Sequence, residues 1–249
     1  MKPDVRVFRG VNELSRQLAE ATVGIINETV QTNGSVSLAL SGGNTPRTLY
    51  RILSSQFRDQ IPWKHVHVFW GDERCVPLDD PHSNYRMAWE TLLDAVPCPP
   101  ENVHPMRTQL WAPDEAAWDY EKTLRSHFPK DWPRFDLVFL GLGAEGHTAS
   151  LFPESPALAE TRRWVVAVDT PAEPHLRLTL TLPALTHAAN ASFLVTGSNK
   201  TQVLQHILLG SPDPKHYPAS GVRLAQGTVI WWLDREAAAL VVGRGGNAA

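Results

Sequence analysis

Asp136-Leu137-Val138-Phe139-Leu140-Gly141-Leu142-Gly143-Ala144-Glu145-Gly146-His147-Thr148-Ala149-Ser150-Leu151-Phe152-Pro153 is the stretch whose pattern decides the fold. Leu137 to Leu142 is a short apolar run without polar alternation, the pattern of a strand buried on both faces of a parallel sheet. Gly141, Gly143 and Gly146 then permit a tight turn whose backbone N–H groups lack side-chain cover. Glu145 and His147 follow, so an acid and a base arrive at the carboxyl end of a central strand. Open α/β sheets bind their ligands there.

Gly141-x-Gly143-x-x-Gly146 also matches the dinucleotide fingerprint, with Asp169 at about the 20-residue distance of a ribose-binding acid. That reading needs a long helix whose N-terminus faces a pyrophosphate. Pro153 interrupts the segment after about two turns, and His147 puts a bulky ring beside the third glycine. Nicotinamide and flavin binding are therefore disfavoured.

The 249 residues suffice for a large core and fit one big α/β domain, here taken as 1–249, or two small ones. Hydrophobic residues make up 43% and charged residues 20%, an ordinary globular balance. A net charge of −3 provides no basic field for nucleic acid or anionic lipid. Cys75 and Cys98 cannot build a disulfide framework, which favours a reducing compartment. Lys2, Asp4, Arg6 and Arg9 stand where a signal peptide needs an apolar core, and no run approaches about 18 apolar residues. A cytoplasmic protein with no membrane partner is expected.

Strand-like and helix-like segments alternate outward from the central stretch, predicting a mainly parallel sheet flanked by helices. Val5 to Phe8 reads as a strand. Asn12 can cap a helix carrying Leu14, Leu18, Ala21, Ile25 and Val30, which Asn33-Gly34 ends. Val36 to Leu40 and Val66 to Trp70 read as strands, and Thr45-Pro46 as a helix start with Pro at the first position. Helices are expected near 83–95 and 114–127. Trp164 to Val168, Leu178 to Leu182, Ser192 to Thr196 and Thr228 to Leu233 read as further strands. Short helices are expected at 183–189, 200–209 and after Asp234, before a Gly-rich tail. Without a repeat or linker, one domain is the better reading.

Three more clusters fall at strand ends. Ser41-Gly42-Gly43-Asn44-Thr45-Pro46 joins a buried strand to a helix N-terminus, where free N–H groups and the helix dipole favour a phosphate. It lacks the Gly-Lys-Ser/Thr of a nucleotide loop, so a phosphate monoester suits it better. A plain turn with a Thr cap is the bland reading. A serine-hydrolase elbow is a third, because Ala39-Leu40-Ser41-Gly42-Gly43 is one residue from Gly-x-Ser-x-Gly, but no His lies beyond His216 to complete its triad. Asp72-Glu73-Arg74, with Ser83-Asn84-Tyr85 opening the next helix, reads as a substrate-organising cluster or as surface ion pairs. Arg177 enters a strand and Lys200 opens a helix, either bound to an anion or solvated. His65 and His67 would share one face of a strand, yet no third ligand is spaced to join them for a metal. The nine tryptophans read as core and interface.

Taken together, Leu40-Ser41-Gly42-Gly43-x-Thr45-Pro46, Trp70-Gly71-Asp72-Glu73-Arg74-x-Val76-Pro77, Gly141-Leu142-Gly143-x-x-Gly146-His147-Thr148-Ala149-Ser150-Leu151-Phe152-Pro153 and Arg177-x-Thr179-Leu180-x-x-Pro183-Ala184-Leu185 resemble the 6-phosphogluconolactonase family. The similarity continues through Leu194-Val195-x-Gly197-x-x-Lys200 and Pro218-Ala219-Ser220, so it covers nearly the whole chain in order. It implies an α/β, single-domain, modified doubly wound (Rossmann-like) sheet, shared with glucosamine-6-phosphate deaminase and ribose-5-phosphate isomerase. It implies hydrolysis of 6-phospho-D-glucono-1,5-lactone to 6-phosphogluconate, the second step of the oxidative pentose phosphate pathway. The departure is Glu145, where the family usually places Asp.

Lactone hydrolysis requires a base for water, donors for an oxyanion, and an acid for the leaving ring oxygen. His147 is assigned both proton steps, since imidazole ordinarily titrates near neutrality, and Glu145 orients it. Arg74 is the oxyanion candidate, with Asp72 positioning it or a sugar hydroxyl. The phosphate is assigned to Ser41, Gly42, Gly43, Asn44 and Thr45, closed over by Arg177 and Lys200. No metal or organic cofactor is required. The expected partner is a small-molecule sugar phosphate lactone, with the chain a monomer or small homo-oligomer. A deaminase or isomerase of the same fold and a non-enzymatic sugar-phosphate sensor are the alternatives. The deaminases carry an acidic residue after Gly-His-Ile-Ala-Phe-Asn that Gly-His-Thr-Ala-Ser-Leu-Phe-Pro lacks.

Overall fold

The computed structural model describes residues 3–109, 112–129 and 132–241. Six strands form one all-parallel sheet: β1 (Asp4–Phe8), β2 (Val36–Leu40), β3 (Val66–Trp70), β5 (Leu137–Leu140), β8 (Asn190–Val195) and β9 (Thr228–Asp234). Their spatial order is β1-β9-β8-β5-β2-β3, so β5 lies inside the sheet between β8 and β2. Every residue of β2 and β5 is buried, as expected of parallel strands covered on both faces. The doubly wound α/β reading of the sequence holds.

Helices α1 (Val11–Asn33) and α2 (Asn44–Gln56) pack on each other. Gly34, at φ 83°, ends α1 in the left-handed region that a glycine tolerates. The start of α1 differs from expectation: Gly10, not Asn12, is its cap, and Glu13 accepts from Arg9 N at 2.8 Å instead. Helix α2 begins at Asn44 after Gly43, so Pro46 is its third residue rather than its first. Helices α3 (Asn84–Thr91) and α4 (Pro113–His127) lie near the predicted ranges, and α5 (Leu182–Thr186) and α6 (Thr201–Leu209) complete the set. Ala237–Leu240 is a 3-10 turn rather than a terminal helix, and the Gly-rich tail at 242–249 lies outside the described residues.

A second, antiparallel sheet was not foreseen. It comprises β4 (Asp72–Arg74), β7 (Leu176–Leu180) and β6 (Val165–Asp169), in the order β4-β7-β6. Only 170–175 separate β6 from β7, too few residues for the crossover that a parallel pair needs. Asp72-Glu73-Arg74 is consequently strand and not loop, and Arg74 lies directly opposite Arg177. His65 sits in a 3-10 turn before β3, so it does not share a strand face with His67.

Candidate active site

The turn after β5 is built around a histidine. Gly146, at φ 97°, occupies a backbone region that side chains rarely adopt. A Cβ on Gly143 would sit 2.0 Å from His147 Nδ1, so only glycine lets the imidazole fold back over the turn. His147 Nδ1 lies 2.7 Å from Glu145 Oε1, and the imidazole stacks on Phe152 with centroids 4.2 Å apart. The hydrogen bond to His147 is the main reason the Glu145 carboxyl is pulled down to about 2, with Lys200 contributing through its charge. An ionised carboxylate only accepts, so Nδ1 is the donating nitrogen of this pair. The longer side chain of Glu145 therefore still reaches the imidazole.

Asp72 fastens this turn to the second sheet. Its carboxylate is buried and accepts from Ser150 Oγ at 2.6 Å and from Asn84 Nδ2 at 3.2 Å. Ser150 N donates in turn to Thr179 Oγ1 on β7. Asp72 thus holds the side chains of Ser150 and Asn84 rather than Arg74. Glu73, part of the predicted cluster but given no role of its own by the sequence, accepts from Arg74 N, Asn84 N, Tyr85 N and Ser83 Oγ at the start of α3. Burial pushes its carboxyl up to about 7. Arg74 donates to His82 O, while its Nε is buried with no protein partner. A buried orphan donor is costly unless a ligand meets it.

The Ser41–Thr45 loop is partly committed. Ser41 N donates to Tyr50 Oη at 3.0 Å, and Tyr50 Oη donates back to Ser41 O at 2.9 Å. The Ser41 N–H is therefore occupied, whereas its Oγ is buried and unpaired. Gly42 packs so closely on Asn84 that a Cβ would lie 1.9 Å from Asn84 Oδ1. Thr45 Oγ1 meets Thr196 Oγ1 at 2.9 Å, joining the start of α2 to the residue that follows β8.

The two remaining cations differ. Lys200 ends a 3-10 turn after Gly197, close enough to Glu145 for each to shift the other; burial lowers the ammonium despite that carboxylate. Arg177 is buried, and its guanidinium donates to Pro174 O at 2.9 Å and Ala172 O at 3.0 Å while lying 5.7 Å from the centre of the Phe152 ring. Much of its donor capacity holds the 172–174 backbone. The sequence assigns no role to Ser150, Thr179 or Tyr217, and marks Asn84 only as part of a helix start. Nothing local betrays Tyr217, whose Cα a Gly146 Cβ would approach to 3.1 Å.

Comparison with known proteins identifies the family. Residues 10–231 match the family described as glucosamine-6-phosphate isomerases/6-phosphogluconolactonase. A 6-phosphogluconolactonase of Synechocystis sp. is 41% identical over 240 residues, covering 95% of this chain and 98% of its own. One from Mycobacterium tuberculosis is 41% identical over 246 residues, with 96% and 98% covered. The solved structure of 6-phosphogluconolactonase from Trypanosoma cruzi superposes with a TM-score of 0.84 at 33% identity, covering 96% of both chains. With its glycine-turned histidine, buried aspartate and helix-start loop on a parallel sheet, the chain belongs to the glucosamine-6-phosphate isomerase/6-phosphogluconolactonase family.

Proposed function

We propose that this chain hydrolyses 6-phospho-D-glucono-1,5-lactone to 6-phosphogluconate in the oxidative pentose phosphate pathway. The observation that carries the reading is the His147–Glu145 pair, joined at 2.7 Å on the glycine turn after β5. In the proposed reaction His147 Nε2 takes a proton from water as its oxygen attacks the lactone carbonyl. Glu145 stabilises the imidazolium that forms. Arg74, with its unpaired Nε, donates to the oxyanion. As the tetrahedral intermediate collapses, His147 returns the proton to the ring oxygen. The free N–H groups of Gly42 to Thr45 and the Lys200 ammonium receive the phosphate, with Arg177 shaping the wall beside them.

One catalytic domain is proposed for 1–249, because Asp72 and Thr179 of the second sheet both bond to Ser150 in the segment that leaves β5 of the first. Two unpaired thiols, Cys75 and Cys98, suit a reducing, cytoplasmic setting, and no described helix is long and apolar enough to cross a membrane. A monomer or small homo-oligomer suffices. The test is phosphogluconate formation from freshly made lactone, with ammonia release from glucosamine 6-phosphate as control. Lactone hydrolysis without ammonia is the expected result; ammonia alone would replace the lactonase reading with a deaminase.

A further inference from the structure

Away from the catalytic turn, three histidines that are scattered in sequence converge. His67 is the second residue of the edge strand β3. His104 follows the 3-10 turn Pro100–Asn102 and is held to β3 by a bond from its N–H to Val68 O at 2.8 Å. His127 is the last residue of α4. One ring nitrogen from each lies within 4.8 Å of the other two, and His67 Nδ1 is 3.3 Å from His104 Nε2. All three rings are half-buried, and Phe69 packs against His104 and His127 at centroid distances of 4.4 and 5.0 Å.

We propose that His67, His104 and His127 form a binding site for a single divalent transition ion of the Zn2+ type. Zn–N bonds of 2.0–2.1 Å in tetrahedral geometry place ligand nitrogens about 3.3 Å apart. The His67–His104 pair already has that spacing, and a rotamer adjustment of about 1.5 Å at most brings in the third nitrogen. A set of three imidazoles favours Zn2+, Cu2+ or Ni2+ over Mg2+ and Ca2+, which prefer oxygen. The C-terminal end of α4 adds the negative pole of its dipole beside the cation. Water fills the fourth position. The ion is structural, because His67 lies toward the amino end of β3 whereas the catalytic groups gather at the carboxyl ends of the strands. It clamps the sheet edge, the connection after β3 and the end of α4 together.

Calorimetric titration of the chelator-treated full chain with Zn2+ tests this, alongside Co2+ titration read through the visible bands of tetrahedral cobalt. One ion per chain, a higher melting temperature with Zn2+, and unchanged lactonase activity after chelation are expected. His104→Phe and His127→Gln should each weaken binding at least about tenfold. His65→Ala, His216→Ala and His147→Asn should leave binding intact, the last ruling out capture by the catalytic dyad. Should the cluster variants fail to fold, Zn2+-induced shifts of the imidazole NMR signals of His67, His104 and His127 in the unmodified chain decide. Absence of saturable binding, or binding lost in His147→Asn but kept in His104→Phe, would overturn the assignment.

Discussion

His147 and Lys200 carry the sharpest expectations for single residues. A general base contributes about 10² to 10⁴ in rate, so His147→Asn should lower kcat by that factor while the melting temperature stays near that of the parent. Ser41→Ala should leave turnover near normal, because Tyr50 and not the Ser41 hydroxyl organises that backbone. Labelling of Ser41 by a fluorophosphonate, with turnover surviving in His147→Asn, would instead favour an acyl-enzyme. Lys200→Ala should raise KM for the phosphorylated lactone at least about tenfold, the worth of one charge-assisted bond, and barely change hydrolysis of unphosphorylated gluconolactone. Arg177→Ala should differ in kind. Its guanidinium holds the carbonyls of Ala172 and Pro174, so unfolding and turnover on both substrates should suffer together.

At the scale of the element, the turn between β5 and Phe152 is a device for presenting one ring. A Cβ at position 143 would meet the far end of the His147 side chain, at 2.0 Å from Nδ1, and Glu145 Oε2 at 2.7 Å. Side chains yield more cheaply than backbone, so Gly143→Ala should fold with little loss of stability yet break the His147–Glu145 bond. We expect kcat to fall at least about a hundredfold, the lower range for losing a positioned base. Paired unfolding and steady-state measurements check this; equal losses in both would mean that the turn itself collapses.

On the scale of the whole molecule, two sheets of different construction must be held in register. Glu121 of α4 accepts from Arg125 and Arg163 and from the backbone N–H groups of Trp164 and Val165 at the start of β6. Its side chain is 1% exposed, whereas the two arginines are 42% and 37% exposed, so water can partly reclaim them. Glu121→Ala should cost about 2–3 kcal/mol, below the full penalty of a broken buried pair, because the stranded groups are chiefly the two amides. Urea unfolding measures it. Because β7 carries Arg177 and Thr179, a loosened second sheet should also raise KM.

Periodicity, glycine placement and helix-start chemistry are local properties, and they sufficed for the parallel strands, the α1 stop at Gly34, the glycine turn after β5 and the helix-start loop after β2. They could not reveal that Asp72-Glu73-Arg74 is a strand, because three polar residues carry no period and their pairing partner, β7, lies about a hundred residues away. Nor could spacing show Ser150 bonded to Asp72 across 78 positions, Arg177 turned onto its own preceding loop, or His104 and His127 delivered to His67. Such contacts arise when loop closure is offset by burial elsewhere in the core, and that balance leaves no mark on the residues being joined. Sequence was enough to place the candidate groups at the ends of particular strands; their neighbours were decided by tertiary packing, because alternation along a strand encodes a face but never the residue opposite it.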